Sequence, residues 1–252
     1  AASGPNVMDI DFDALIANET DSTLKDMHEY FRDRTPTEKN QYTGMFQGKN
    51  LLLFTGEAFW IGAVNEQYTP TLYKLAHSGF VFENFYNPLW YYSTVDGEYA
   101  ATTGLIPTNQ VNASQRYAGK NGVSMYFSMG NQLRALGYPT LAYHNNTANY
   151  YDRNLSHPNL GYDFYACDTG LDVAMTWPQS DLEMMQLTLP QALAGEKPFH
   201  NYYMTVSGHM NYSFAGNAMS AKHRDEVADL DMSEAARAYL ACNMELDQAL
   251  EY

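Results

Sequence analysis

Residues 50–55, Asn-Leu-Leu-Leu-Phe-Thr, form a short continuous apolar run that stops at Gly56 and Glu57. A half-exposed strand would alternate apolar with polar residues; a run of this length reads instead as a strand covered on both faces, as in a parallel sheet. Further along, residues 80–86 alternate as a second strand, and 140–143 and 202–206 read as two more. Helical patterns lie between them: 70–76, opened by Pro70 and closed at Gly79, then 96–103, 124–136, 181–194 and 233 onward. Strands alternating with helices predict an α/β fold, a mainly parallel central sheet with helices on both faces. Glu57 then stands at the carboxyl end of a buried strand, where open α/β sheets bind their ligands.

Residues 1–48 differ in character. They are polar and acidic, with helical candidates at 11–17 and 21–34, and they read as a peripheral helical arm before a main domain over 49–252. With 14 Lys+Arg against 29 Asp+Glu, the net charge is −15, and no basic patch offsets it. That field repels nucleic acid and anionic membrane surfaces, so an anionic substrate needs a few placed cations or a metal. No stretch is apolar enough to span a bilayer. The last helical pattern, 235–250, is still running at the end of the sequence, which is the expectation for a chain truncated at its C-terminus. Cys167 and Cys242 form no C-x-x-C pair, and a disulfide and two separate thiols both stay open. The 21 tyrosines fit a sugar- or headgroup-gripping surface, and equally fit strand positions that are half buried.

Tyr92-Ser93-Thr94-Val95-Asp96-Gly97-Glu98 places a hydroxyl just before a helix with acidic residues in its first turn, which taken locally is an ordinary N-cap. A helix N-terminus is also a suitable place to hold a transferring phosphoryl group beside a nucleophilic oxygen. The ordered blocks decide between these. Residues 49–57, Thr69-Pro70-Thr71-Leu72, Phe82-Glu83-Asn84-Phe85-Tyr86 and Ser93-Thr94-Val95-Asp96-Gly97-Glu98 together resemble the lipoteichoic acid synthase and phosphoglycerol transferase family, a sulfatase-like branch of the alkaline phosphatase superfamily. The lead-in at 36–46 is similar as well.

The resemblance implies that Glu57 and Thr94 are metal ligands, with Thr94 the nucleophile. It implies that His144, Asn146, Tyr151, Arg153 and His209 contact substrate, with His209 also stabilising the transferring group or protonating the leaving oxygen. A guanidinium suits a phosphate, which favours Arg153 as the clamp. Tyr151 stands where relatives often have Trp, and Asn146 where some have Asp. Sulfatases proper carry a C/S-x-P-x-R motif, whereas this chain reads Thr94-Val95-Asp96-Gly97, so sulfate-ester hydrolysis is disfavoured. The family completes its metal site with an Asp-His pair, and no Asp-His dipeptide occurs here. Glu57 and Thr94 alone are too few for a tight site, so weak or absent metal binding is expected. The metal implied is manganese, with magnesium or zinc also suited to such ligands.

The expected function is a metal-dependent transferase moving a phosphoglycerol-type group from a phospholipid headgroup donor to a glycerol-phosphate or glycan acceptor through phospho-Thr94. The expected location is the extracytoplasmic face of a bacterial membrane, with anchoring segments outside this chain. The alternatives are a phosphoethanolamine transferase, a phosphodiesterase or a sulfatase-like hydrolase of the same superfamily, or a non-catalytic binding module with a degenerate site.

Overall fold

The computed structural model describes residues 3–86, 94–109 and 118–252. The chain forms two compact units, Ala1–Lys49 and Asn50–Tyr252. In the first, helices α1 (Phe12–Asn18) and α2 (Ser22–Arg32) are N-capped by Asp11 and Asp21, whose carboxylates accept from the backbone N–H of Ala14 and Leu24 at 2.9 and 3.0 Å. Neither helix buries a residue.

The second unit is built on four parallel strands: β1 (Leu51–Thr55), β2 (Thr140–His144), β3 (Asp163–Ala166) and β4 (His200–Met204), in the order β1-β4-β2-β3. Side chains alternate between the two faces, and both faces are apolar. On one face Tyr143, Met184, Met185, Leu189, Phe199 and Tyr203 form a core; on the other Ala142, Leu160, Tyr162, Tyr202 and Met204 form a second. The register sets Phe54, Tyr203, Tyr143 and Tyr165 side by side across all four strands. Their rings stack at centroid separations of 5.2, 5.2 and 5.7 Å. Tyrosine here therefore fills sheet positions.

Among the described residues, the α-helices of this unit are α3 (Pro70–Ala76), α4 (Thr94–Thr103), α5 (Met129–Ala135), α6 (Arg153–Asn159), α7 (Asp181–Leu193), α8 (Ala218–Lys222) and α9 (Glu234–Glu251). Residues 80–86 do not form the expected strand. Phe80, Val81, Phe82, Phe85 and Tyr86 are all exposed, and alternation without a ladder partner does not make a strand. The helix expected over 124–136 begins only at Met129, because Ser128 is extended and its hydroxyl donates to Met125 O and Leu160 O instead. None of the helices among the described residues is long and apolar enough to cross a membrane.

Thr55, Met204 and His144 are neighbours in the register at the carboxyl edge of the sheet. Loops leaving that edge carry Glu57, Ser207 to His209, and Asn145 to Arg153. A cleft of about 490 Å³ lined by Pro139, Leu141, Tyr143 and Phe199 opens at the opposite edge, away from these groups.

Candidate active site

Glu57 sits two residues past β1 and is held by its backbone. Thr205, just beyond β4, accepts from Glu57 N–H at 3.1 Å and donates to Thr55 O at 2.9 Å. The next residue, Ala58, has a left-handed φ of 52°, a costly conformation for a side chain with Cβ. Tyr239 on α9 holds it there, with its hydroxyl donating to Ala58 O at 3.1 Å and accepting from Trp60 N–H at 2.7 Å.

Thr94 opens α4 as described, and its hydroxyl donates to Glu57 Oε2 at 3.2 Å. Tyr92 and Ser93, which precede it in the motif, lie outside the described residues. His209 reaches the other Glu57 oxygen, Nδ1 to Oε1, at 3.4 Å. Glu57 thus joins a hydroxyl and an imidazole that are 115 positions apart in the chain. The His209 ring packs edge-on against Trp177, 5.6 Å between centroids.

The loop carrying His209 is fixed from below. Asp181, fully buried at the start of α7, accepts from Val206 N–H at 3.0 Å, Ser207 N–H at 2.9 Å, Asn145 Nδ2 at 3.2 Å and the Ser207 hydroxyl. Burial raises its pKa above the ordinary carboxylate value, and these donors oppose the rise. Gly208 passes so close to the Glu57 backbone that a Cβ there would lie 3.0 Å from Glu57 O.

Arg153, the first residue of α6, is 2% exposed. Its Nε donates to Glu98 Oε1 at 3.0 Å and its Nη2 to the same oxygen at 2.6 Å. Its Nη1 donates to His144 Nε2 at 3.0 Å and to Tyr150 O at 3.3 Å. Burial works against the guanidinium charge, but Glu98 more than offsets it, and the pKa is raised. A donor on Nε2 leaves His144 neutral, with Nδ1–H facing Met204 O at 3.4 Å. In agreement, burial first and the Arg153 charge second push the His144 pKa well below 6.5. Tyr151 lies over the guanidinium at 5.2 Å. Asn146 accepts from its own neighbour, Thr147 N–H, at 2.8 Å.

Two sets of expected residues therefore come together: Glu57, Thr94 and His209 in one, and His144, Tyr151 and Arg153 in the other. Glu98 and Asp181 complete them and were not singled out from the sequence. The one available signal was the Thr94-x-x-x-Glu98 spacing, which puts both side chains on one helix face. Glu57 and Thr94 fit a divalent cation as two hard oxygen ligands. No group of three or more His, Cys, Asp or Glu among the described residues is arranged to hold one. Both thiols are free, and burial raises Cys167 to about 11 and Cys242 to about 12, so neither is a nucleophile near neutral pH.

The Sulfatase family profile matches residues 49–252. The chain belongs to the sulfatase family. Lipoteichoic acid synthase 2 of Bacillus subtilis (strain 168) is 23% identical over 206 residues, covering 76% of this chain and 30% of that protein. The crystal structure of the lipoteichoic acid synthase LtaP from Listeria monocytogenes superposes with a TM-score of 0.67 at 21% identity, over 84% of this chain and 53% of that one. A protein in the alkaline phosphatase superfamily from Vibrio parahaemolyticus gives a TM-score of 0.60 at 20% identity, over 81% and 50%. The chain thus shares the superfamily's fold and is homologous to lipoteichoic acid synthases, while spanning about half or less of each relative.

Proposed function

We propose that this chain carries the nucleophile and part of the substrate site of a transferase that moves a phosphoglycerol-type group from a lipid donor to an acceptor hydroxyl. The observation that carries the reading is the Thr94 hydroxyl donating to Glu57 Oε2 at the carboxyl edge of a sulfatase-family sheet. With its hydrogen on Glu57, Thr94 Oγ1 turns its lone pairs away from the carboxylate, toward the space where phosphorus would stand. The P–O bond to the lipid breaks as the Oγ1–P bond forms, and the Thr94 proton ends on the leaving lipid oxygen. An acceptor hydroxyl then attacks phospho-Thr94, loses its proton and restores the Thr94 hydroxyl. Glu57 takes the Thr94 proton, and His209 relays it: Nε2–H gives a proton to the leaving oxygen as Nδ1 takes one from Glu57. Arg153 and Tyr151 orient the phosphoryl group and its headgroup, with His144 acting through its bond to Arg153 and Asn146 at the margin of the same loop. A divalent cation held by Glu57 and Thr94, manganese before magnesium or zinc, would neutralise phosphoryl charge and lower the pKa of the hydroxyl. The setting proposed is the extracytoplasmic face of a bacterial membrane.

A second reading is favoured by the two-ligand metal set: a binding module that keeps the fold and the headgroup pocket without turnover. One experiment separates them. The protein with its natural flanking sequence is given vesicles of phosphatidylglycerol or phosphatidylethanolamine, with each divalent ion. The transferase reading expects diacylglycerol release from phosphatidylglycerol, a phosphoglycerol adduct on Thr94 by mass spectrometry, and a loss of at least 10³-fold in Thr94→Ala. Turnover that survives Thr94→Ala would remove Thr94 as nucleophile, and binding without turnover under every ion would favour the module.

A further inference from the structure

Thr94 and Glu98 are one helical turn apart on α4, so one face of this helix carries both. Thr94 reaches Glu57 on the loop after β1; Glu98 reaches Arg153 at the head of α6. Glu98 is 3% exposed and Arg153 2%, so the pair is out of water and its geometry is not averaged by solvent. A guanidinium has two edges for paired acceptors. Glu98 takes the Nε–Nη2 edge, and His144 Nε2 and Tyr150 O take the two hydrogens of Nη1, which leaves the second hydrogen of Nη2 for a further acceptor. The turn that delivers Arg153 is held under strain, since Tyr151 and Asp152 both have left-handed φ, 58° and 54°. A strained turn keeps its shape only where other contacts over-determine it, and the Arg153 bonds to Glu98 and His144 are buried contacts at that place.

We propose that Glu98 is a positioning residue: it aims the remaining Nη2 N–H of Arg153 at the phosphoryl group and ties the guanidinium to the helix that carries Thr94. Nucleophile and clamp then keep their spacing through the reaction. Because Glu98 also neutralises Arg153, the clamp works by a directed N–H more than by net charge. Losing the aim therefore lowers kcat more than it raises KM. The inference rests on the reading of Thr94 as nucleophile and Arg153 as clamp.

The test uses the protein with its flanking sequence and phosphatidylglycerol vesicles. Glu98→Asp is the main variant, because it keeps the charge that Arg153 needs for burial while withdrawing the carboxylate by one methylene, about 1.5 Å. A misplacement of this size is expected to lower kcat by about 10²-fold with KM within about threefold, in protein that is still folded at the assay temperature. Glu98→Gln and Arg153→Lys are each expected to lower kcat, and their double variant to be no worse than the poorer single, since both break one unit. Glu98→Asp with kcat within twofold of wild type would overturn the proposal. So would losses that multiply in the double variant. If Thr94→Ala stays active, the functional reading fails; if Thr94→Ala is dead and Glu98→Asp is fully active, only the role of Glu98 fails.

Discussion

Gly208 is the residue at which one methyl group would be felt by the site. Its φ is not in the left-handed region, so alanine is allowed there by the backbone, and the cost is steric. A Cβ would lie 3.0 Å from Glu57 O and 3.5 Å from Asn243 Oδ1. Either Glu57 gives way or the His209 loop does, and both move the Glu57 to His209 contact now at 3.4 Å. Gly208→Ala is expected to cost about 1 kcal/mol of stability by thermal unfolding and to lower kcat by about tenfold. A stability loss with kcat unchanged would show that the two loops are independent. At this scale, Glu57, Thr94 and His209 were legible because each stands in a short block beside a strand end or helix start. Glu98 and Asp181 were not. Both are carboxylates whose partners lie elsewhere in sequence, 55 residues away for Arg153 and 26 for Ser207. An acidic residue in a helix's first turns reads as a favourable dipole contact until those partners are known.

The start of α7 is the element that sets the His209 loop. Ser180 caps the helix, accepting from Glu183 N–H at 3.0 Å, and Asp181 turns inward to the Val206 and Ser207 backbone. Asp181→Asn keeps one carbonyl acceptor but places an amide against backbone donors. It is expected to cost about 2 kcal/mol, or roughly 5 °C in the thermal midpoint. Ser207→Ala, which removes one donor and leaves the backbone bonds, is expected to cost less by the same calorimetry; a reversed order would mean the hydroxyl, not the backbone, is what Asp181 holds. Which elements the sequence revealed follows the same logic of partners. β1 and β2 were legible as strands because their residues are apolar on both faces, but β1 is not the buried strand expected: it ends the strand order β1-β4-β2-β3, and Leu51 and Leu52 stay exposed. β3 was missed, being a four-residue strand with Asp163 and Tyr165 exposed, defined only by its ladder with β2. Residues 80–86 carried the alternating pattern of a strand but join no ladder among the described residues. α6 was hidden in a polar loop, since Pro158 and the strained turn before Arg153 mask a helical pattern.

For the whole molecule, buried imidazoles decide the response to acid. His144, His157 and His200 are each held neutral, with pKa values lowered first by burial, that of His157 to about 4. His200 shows the arrangement, with Nδ1 facing Leu51 O at 3.1 Å and Nε2 facing the Tyr162 hydroxyl at 2.9 Å. The unfolded chain takes up these protons near pH 6.5 and the folded chain does not, so the unfolded state binds more protons and stability falls as pH drops below about 6.5. Each such group contributes up to about 1.4 kcal/mol per pH unit where it is neutral folded and charged unfolded, against a total stability of roughly 5–15 kcal/mol. Below about pH 4.5 Glu245 adds to the loss. Burial opposes its charge, but His223, Lys222 and Ser180 hold its carboxyl at about 2, so its contribution is present above the unfolded value and disappears as pH falls toward 2. The net charge of −15 acts in the other direction, because acid relieves self-repulsion, and salt screens that term while leaving buried groups alone. Urea unfolding in 0.3 M salt at pH 7.5, 6 and 5 should therefore show stability falling steeply with acid. His157 is the group with which to check the cause. It is fully buried, stacks on Tyr202 and Phe164, and has no partner at Nε2. His157→Phe keeps the ring packing and removes one proton from the count, so it should flatten the pH slope by about 1.4 kcal/mol per pH unit between pH 6 and 5. A variant with the wild-type slope would transfer the acid sensitivity from the imidazoles to the carboxylates.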